Sequence, residues 1–365
     1  MGDSFDVAIA GAGIVGAACA AECAASGLKV VVVEPGPIGG GATAAGMGHI
    51  AVMDDSPAQL ALTTYSQRLW MELAPQLPAD VEYLPCGSLW VATDAQEMAE
   101  VLRKKALYDQ PGVGVRAEVL DANAVKEAEP NLQPPNLAGA LRLADDAVLY
   151  PPCAARYLLE QSKAKVVRET AAELSGRGIR LESGRWIEAG VTVNATGAWA
   201  INCPVRKRKG HLVITDRYPG YVRHVLIELG YLKSAHSIAT DSVAFNVQPR
   251  RTGQLLIGSS RQYGAEDTVI DTHMLHWMMQ RVLEYMPGLA SLTAIRCWTG
   301  FRAATPDKLP LIGPTEDPRL YLATGHEGLG ITTSLATAKL LVDQLLRRTP
   351  AIPLEPYLPC REMSH

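Results

Sequence analysis

The sequence predicts an α/β fold with a second domain, a mixed and largely antiparallel β-sheet, interleaved into it, and three observations carry that prediction. Residues 6–34 read as strand, glycine turn, helix and strand in immediate succession. Two more apolar runs far down the chain, at 191–199 and 320–332, also end in glycine turns. From Pro204 to about Leu292, short apolar runs alternate as antiparallel strands do, without the helices that parallel crossovers need.

The first unit is the most specific of the three. Asp6 to Ala10 is a short apolar strand that runs into Gly11-Ala12-Gly13-Ile14-Val15-Gly16, and small residues at helical spacing continue to about Ser26. After Gly27 a second apolar run, Leu28 to Val33, ends on Glu34, eighteen residues past Gly16. Gly11 permits the tight turn, Gly13 lets backbone N–H groups approach a pyrophosphate, and Gly16 lets the helix pack closely on its strand. An anion then rests on the helix N-terminus. Glu34 stands close to where such folds place the acid that binds a ribose, and its carboxylate would repel a 2′-phosphate. The unit is therefore read as the core of a Rossmann-like dinucleotide-binding domain. Its candidate contacts are Gly11, Gly13, Ile14, Val15, Gly16, Glu34 and Pro35.

Composition narrows the function. A chain of 365 residues with 48% hydrophobic and 20% charged residues can bury a large core. The formal charge of -4 and the absence of a dense Lys/Arg block point away from nucleic acid, and Arg206-Lys207-Arg208-Lys209 reads as a solvated loop. Asp3 and Asp6 stand where a signal peptide needs positive charge, and glycines interrupt the apolar residues that follow. No stretch suggests a membrane span. The seven cysteines form no C-x-x-C and no metal-like cluster, so reduced thiols, no metal and a cytoplasmic location are expected.

The segment Gly39-Gly40-Gly41-Ala42-Thr43-Ala44-Ala45-Gly46-Met47-Gly48-His49 is too rich in glycine to make a stable isolated helix. It resembles the stretch that follows the ribose-binding Glu in the D-amino-acid oxidase family of FAD-dependent oxidoreductases, the group holding glycine oxidase and sarcosine oxidase. The resemblance implies FAD as cofactor, with contacts at Thr43, Ala45, Gly46 and Met47. It extends over nearly the whole chain. The end of the strand candidate at 165–172 matches the place where the family's backbone contacts adenine, which gives Ala172. The run Asn194-Ala195-Thr196-Gly197-Ala198-Trp199 resembles two-dinucleotide-domain flavoproteins and gives Ala195, Thr196, Gly197 and Trp199. The run from Gly325 through Gly328, Leu329, Gly330 and Ile331 to Thr332 leads into a helix to about Arg347. The positive end of that helix suits the electron-rich pyrimidine edge of a reduced flavin. The implied division is an FAD-binding domain of 1–80, 145–203 and 310–365, and a substrate-binding domain of 81–144 and 204–309.

Residues 56–74, 95–108, 153–162 and 272–286 have helical patterns, 120–131 reads as a short helix closed near Pro130, and Asp145-Asp146 read as turn residues. Residues 242–250 and 254–260 read as a hairpin. The stretch Gly300-Phe301-Arg302 with Thr305-Pro306-Asp307 resembles the amino-acid-oxidising branch of the family, in which the Arg binds the substrate carboxylate. A guanidinium suits that task because its planar fork makes two charge-assisted hydrogen bonds to a carboxylate. The resemblance also places Gly210 near the flavin face, with an ordinary strand start as an equal reading, and Phe245 over the substrate, with a plain core Phe as the reading its residue type favours. His49, His211 and His326 are the titratable candidates, each as readily a hydrogen-bonded wall residue as a base. Gly300 stands where sarcosine oxidases carry the Cys that attaches flavin, and Cys297 comes three residues too early. Noncovalent FAD is expected.

These residues and this resemblance imply oxidation of a small amino acid held through its carboxylate on Arg302, with hydride passing from Cα to flavin N5 to leave an imine. The runs at 258–262 and 325–332 and the tail at 356–359 resemble most the flavin subunits of hydroxyproline and opine dehydrogenases, which work in heteromeric complexes and pass electrons to a carrier. The expected substrate is a D- or secondary amino acid such as D-hydroxyproline or D-proline. Partner subunits would be the route to any attachment at the inner membrane. The alternatives are an oxidase that makes hydrogen peroxide from glycine or small D-amino acids, and a flavin-bearing structural subunit.

Overall fold

A computed structural model describes residues 4–200, 203–230 and 241–363. Its strands are β1 (Phe5–Ala10), β2 (Val30–Val33), β3 (His49–Ile50), β4 (Ser88–Ala92), β5 (Ala117–Asp121), β6 (Gly139–Leu143), β7 (Ala147–Val148), β8 (Lys165–Val167) and β9 (Ala171–Ser175). They continue with β10 (Gly178–Leu181), β11 (Trp186–Asn194), β12 (Arg206–Arg217), β13 (Val225–Glu228), β14 (Ser242–Pro249), β15 (Gln254–Arg261), β16 (Ala294–Ala304), β17 (Leu311–Pro314) and β18 (Leu320–Thr324). The helices are α1 (Ile14–Ala25), α2 (Gly41–Ala45), α3 (Pro57–Leu73), α4 (Ala95–Tyr108), α5 (Ala122–Ala128), α6 (Pro151–Ser162), α7 (Thr272–Tyr285) and α8 (Gly330–Leu345).

The first sheet runs β17-β18-β11-β1-β2-β8, with the β9–β10 hairpin joined to β11. The pairs β18–β11, β11–β1, β1–β2 and β2–β8 are all parallel, so five neighbouring strands point the same way. Their side chains are apolar on both faces: Val30 to Val33 are all buried, as parallel strands covered on both sides require. Helix α1 packs against α6 and α8 over small buried residues, Ala17, Ala18, Cys19 and Cys23 among them, and its Gly16 lies directly on the turn after β1. The second sheet runs β16-β12-β15-β14-β13-β4-β6-β5 and is antiparallel except between β13 and β4. One face, carrying Leu89, Leu226, Val247, Leu255 and Ile257, packs on Val125 of α5 and Met278 and Val282 of α7. A small third sheet pairs β3 with β7.

Four sequence expectations need correction. Residues 120–131 do not form one helix: β5 ends at Asp121, whose carboxylate accepts the N–H groups of Asn123 and Ala124 and so caps the short α5. Residues 206–209 are no solvated loop but the start of β12, with Arg208 and Lys209 buried and paired to Glu327 and Asp267. Asp146 is no simple turn residue. It is fully buried and accepts hydrogen bonds from Ser88, Gln67 and the N–H of Val52. Phe245 does not overlie a substrate. Alternate residues of a strand face opposite sides, and Phe245 falls on the α7 side, fully buried and stacked on Tyr285 at 4.4 Å, while its neighbour Asn246 faces the other way.

Because Phe245 is a core residue, Phe245→Ala is expected to cost about 3–5 kcal/mol of stability in urea unfolding followed by tryptophan fluorescence. A cost below about 1 kcal/mol would contradict that placement.

Candidate active site

A deep cleft of about 1150 Å³ lies where the carboxyl ends of the five parallel strands meet the second sheet. Three turns distant in sequence line it: Gly11, Gly13, Ile14 and Val15 after β1, Asn194 to Ala200 after β11, and His326 to Thr332 after β18. Gly11 is left-handed, with φ +100°, and a Cβ there would sit 2.6 Å from the carbonyl oxygen of Ala195. Gly16 is the helix-packing residue: a Cβ would meet the Gly11 carbonyl oxygen at 2.1 Å, and Gly16 does not line the cleft. Glu34 is pinned at the end of β2 by two backbone donors, Ala12 N–H at 2.9 Å and Gly36 N–H at 2.8 Å. Thr43 accepts the N–H of Ile14 at 3.0 Å. Pro35, Ala45, Gly46, Met47, Ala172, Ala195, Thr196, Gly197 and Trp199 all border the same space. Gly325 does not: with φ +79° it makes the turn, close against the Thr305 methyl group.

Both helices that open toward the cleft begin without a capping side chain on their N-cap residues, Gly13 for α1 and Leu329 for α8. Apart from the Ile14 N–H, which Thr43 accepts, their first-turn N–H groups have no cap from the N-cap side chain, and their positive dipole ends lie at the cleft. Thr332 ties α8 to β3, giving its hydroxyl to the His49 carbonyl and accepting the N–H of Ala51.

Arg302, on β16, threads between glycines. A Cβ on Gly210 would lie 2.5 Å from its Nη1, and one on Gly328 would lie 3.5 Å from its Nε. Its Nη1 donates to the Ser260 carbonyl at 2.9 Å. Gly210 thus makes the room through which this guanidinium reaches the cleft. Two residues that the sequence reading passed over stand beside it. Glu327, which backbone-pairs with Ala303, forms a buried ion pair with Arg208 at 2.5 Å, and both line the cleft. Burial holds the Glu327 carboxyl above the usual range, against the opposing pull of Arg208 and Arg302.

The three histidines also border the cleft. His326 is buried with Nε2 3.0 Å from the Thr337 hydroxyl, and burial lowers its pKa to about 3. His211 accepts the Asp271 N–H on Nε2, so its Nδ1 carries the proton and faces Ser260 Oγ at 2.9 Å. Burial lowers its pKa as well, and the pair of contacts makes it a neutral wall residue. His49 lies with Nε2 3.5 Å from the buried carboxylate of Asp146.

Residues 6–344 match the sequence model of the DAO family, the FAD dependent oxidoreductases. The chain belongs to that family. It is 27% identical to glycine oxidase of Pseudomonas aeruginosa, over 97% of this chain and 98% of that one. It is 26% identical to hydrogen cyanide synthase subunit HcnC of the same organism, over 99% and 97%. The crystal structure of glycine oxidase from Geobacillus kaustophilus superposes with a TM-score of 0.86 at 25% identity, covering all of both chains.

This FAD-dependent oxidoreductase carries walls that fit its cofactor. The cleft exceeds the roughly 300–1,000 Å³ of ordinary small-molecule sites, as a dinucleotide demands. Gly11, Gly13, Gly40 and Gly41 line it without side chains, and the two helix starts that lack an N-cap side chain would offer their remaining donors to pyrophosphate and pyrimidine oxygens. Gly300 is explained by packing: a Cβ there would sit 2.3 Å from the Cβ of Ala45, so the glycine lets α2 lie on β16. Among the described residues no cysteine lines the cleft, no His/Cys/Asp/Glu group could hold a metal, and no helix is long and apolar enough to cross a membrane. The residues that sequence reasoning missed, Trp90, Arg208, Asn246, Arg261 and Glu327, come from strands of the second sheet or from the turn after β18. Strand alternation beside Phe245 was the available signal for Asn246.

His326 yields a test of burial. Its folded pKa lies below its unfolded value, so its contribution is complete above about pH 6.5 and is lost as pH falls toward 3. The wild-type protein should lose about 2 kcal/mol more stability than His326→Gln between pH 7 and pH 5 in urea titrations. Parallel pH profiles for the two proteins would show that His326 is not held neutral.

Proposed function

We propose that this FAD-dependent oxidoreductase oxidises a small amino acid at its carbon–nitrogen bond, binding it through the carboxylate on Arg302. The observation that carries the reading is the placement of Arg302 at the cleft between two glycines, beside a helix start and within reach of the same space as the three cofactor turns. When bound, FAD supplies a two-electron acceptor at flavin N5. The protein's part is to hold the substrate. Arg302 grips the carboxylate with a fixed, always-charged fork, and the anchor at Ser260 limits the guanidinium's freedom. Arg208 and Glu327 pair with one another, and burial keeps His211 and His326 neutral in the same cleft wall.

Within that class we favour a cyclic secondary amino acid such as D-proline or D-hydroxyproline, with electrons leaving to a carrier through partner subunits. The similarity to HcnC, a protein named as a subunit, supports the heteromeric part of this reading. The similarity to glycine oxidases favours a second reading, an enzyme that uses oxygen directly and makes hydrogen peroxide. The absence of cysteines from the cleft wall among the described residues supports noncovalent FAD.

Mixing the purified chain anaerobically with a panel of D- and secondary amino acids should bleach the flavin with the true substrate. Prompt peroxide formation by the chain alone in air would select the oxidase reading, and a panel without any bleaching would end the amino-acid reading. Arg302→Ala should lower kcat/KM by about 10²-fold or more while FAD stays bound, with Arg302→Lys recovering only part. Unchanged turnover in Arg302→Ala would remove it from the site. Acid precipitation should release all the flavin into the supernatant; flavin retained in the pellet would overturn noncovalent attachment.

A further inference from the structure

The cleft wall beside Arg302 carries a carboxylate, and three contacts fix where it stands. Glu327 follows β18 and pairs with Ala303, giving its N–H to the Ala303 carbonyl at 2.9 Å, so its backbone lies beside the residue that follows Arg302. The next residue, Gly328, lies against Arg302 itself: a Cβ there would be 3.5 Å from the guanidinium Nε. Arg208, on β12, is the register partner of Arg302 and donates to Glu327 Oε1. Glu327 is thus tied by its side chain to one member of a cross-strand pair of arginines and by its backbone to the neighbour of the other.

Directly opposed residues of an antiparallel pair carry their side chains on the same face, and two like charges there repel. The Glu327 carboxylate offsets one of them with a single oxygen. Its second oxygen, Oε2, has no hydrogen-bond partner among the described residues. Unlike the Arg208 Nε, which is closed off without a partner, Oε2 keeps accessible surface, and the side chain that carries it is 10% exposed and lines the cleft. The backbone marks the same residue. Glu327 has φ +51°, a left-handed conformation that costs a side-chain-bearing residue about 1 kcal/mol and that glycine adopts freely. Strain of this kind gathers at ligand sites.

We propose that Glu327 is a catalytic residue for the substrate amine: Oε2 receives the ammonium group while Arg302 holds the carboxylate, and it takes the proton that must leave nitrogen before Cα can lose hydride. This inference rests on the reading of the cleft as an amino-acid site. The amine and the carboxylate of an α-amino acid hang on one carbon, so their two protein partners must be neighbours, as Glu327 and Arg302 are. In the proton step an N–H bond of the ammonium breaks and an O–H bond forms on Oε2. The electron pair left on nitrogen becomes the second bond of the imine as the Cα–H pair departs as hydride to the two-electron acceptor that FAD supplies. Burial raises the Glu327 carboxyl above its usual range and outweighs the opposite pull of Arg208 on β12, Arg302 on β16, Arg261 on β15 and Lys308 in the turn after β16, while the adjoining His326 is neutral. A carboxylate so placed accepts a proton more readily than one in water.

The test uses the FAD-loaded enzyme and two matched pairs, D-proline with cyclopentanecarboxylate and glycine with acetate, in which the second member keeps the carboxylate and lacks the amine. Stopped-flow absorbance follows anaerobic flavin reduction by the two amino acids from pH 6 to pH 10, and perturbation of the flavin spectrum measures binding of the two plain acids. Glu327→Gln should slow flavin reduction at pH 7 by about 10²-fold or more and recover much of the loss toward pH 10, where a growing share of the amine arrives already neutral. The same variant should bind cyclopentanecarboxylate and acetate as the wild-type protein does, whereas Arg302→Ala should lose both. Glu327→Gly, which the left-handed backbone accepts without strain, serves in its place if the Gln variant does not fold. A pH profile parallel to that of the wild type would overturn the proposal, as would a loss of plain-acid binding as large as the loss of reduction rate; either result would leave Glu327 as the partner of Arg208 alone. If neither amino acid reduces the flavin of the wild-type protein, the reading beneath the proposal fails and the proposal falls with it. Reduction at the wild-type rate in Glu327→Gln would sink the proposal alone.

Discussion

The cleft depends on one geometric constraint: β18, β11, β1, β2 and β8 are neighbours and run parallel. Parallel strands all release the chain at the same edge, so the segments that follow them are gathered into one place whatever their separation in sequence. The turn at Gly11, the acid at Glu34, the stretch around Ala172, the turn at Gly197 and the helix start at Gly330 each follow one of these strands, and all but the packing glycines border one cavity. Two of the segments open helices whose N-cap residues provide no side-chain cap, so at α1 and α8 first-turn donors other than the Ile14 N–H, which Thr43 accepts, are left over at the cleft. The small residues of α1 are part of the same constraint, since Gly16 and its buried alanines bring the helix down onto the turn it must present.

The second sheet closes the other side, and it does so through close backbone approaches rather than through large side chains. Gly300 lets α2 lie on β16, which carries the small-residue segment against the edge strand. Gly210 and Gly328 flank Arg302, so a long cationic side chain passes through the space that two Cβ atoms would have taken. Burial does the rest of the electrostatic work. It keeps His211 and His326 neutral and pairs Arg208 with Glu327.

The cofactor half was legible because its chemistry is written in short contiguous runs. Gly11 to Gly16, Asn194 to Trp199 and His326 to Thr332 each hold their contacts within about two turns of chain, and glycine at a turn before a helix has few other uses. On the side of the second sheet the sequence pointed to Gly210, His211 and Arg302, all of which border the cleft, and at Arg302 the run carried a family resemblance. Phe245 was misplaced because a strand in isolation does not show which of its two faces is the core, and the answer came from α7 covering the Phe245 side. The run at 206–209 misled for a related reason. Its charges suggested solvent, yet Arg208 and Lys209 find acids from distant segments, Glu327 and Asp267, that no local pattern links to them.

Taken alone, the amino-acid sequence determined the dinucleotide-binding unit, the order of strands and helices in it, the acid at Glu34 and the guanidinium at Arg302. All but the last follow from local periodicity, from glycine's freedom at turns and from residue chemistry that acts over a few positions, whereas Arg302 was singled out by the resemblance of its run to a known family. Tertiary structure alone decided which turns border the cavity and which merely pack, which histidines are neutral, that Asp146 is buried, and that Glu327 pairs with Arg208 beside Arg302 on the cleft wall. Those are facts of register, burial and long-range pairing, and each is set by segments dozens to hundreds of residues away in the chain.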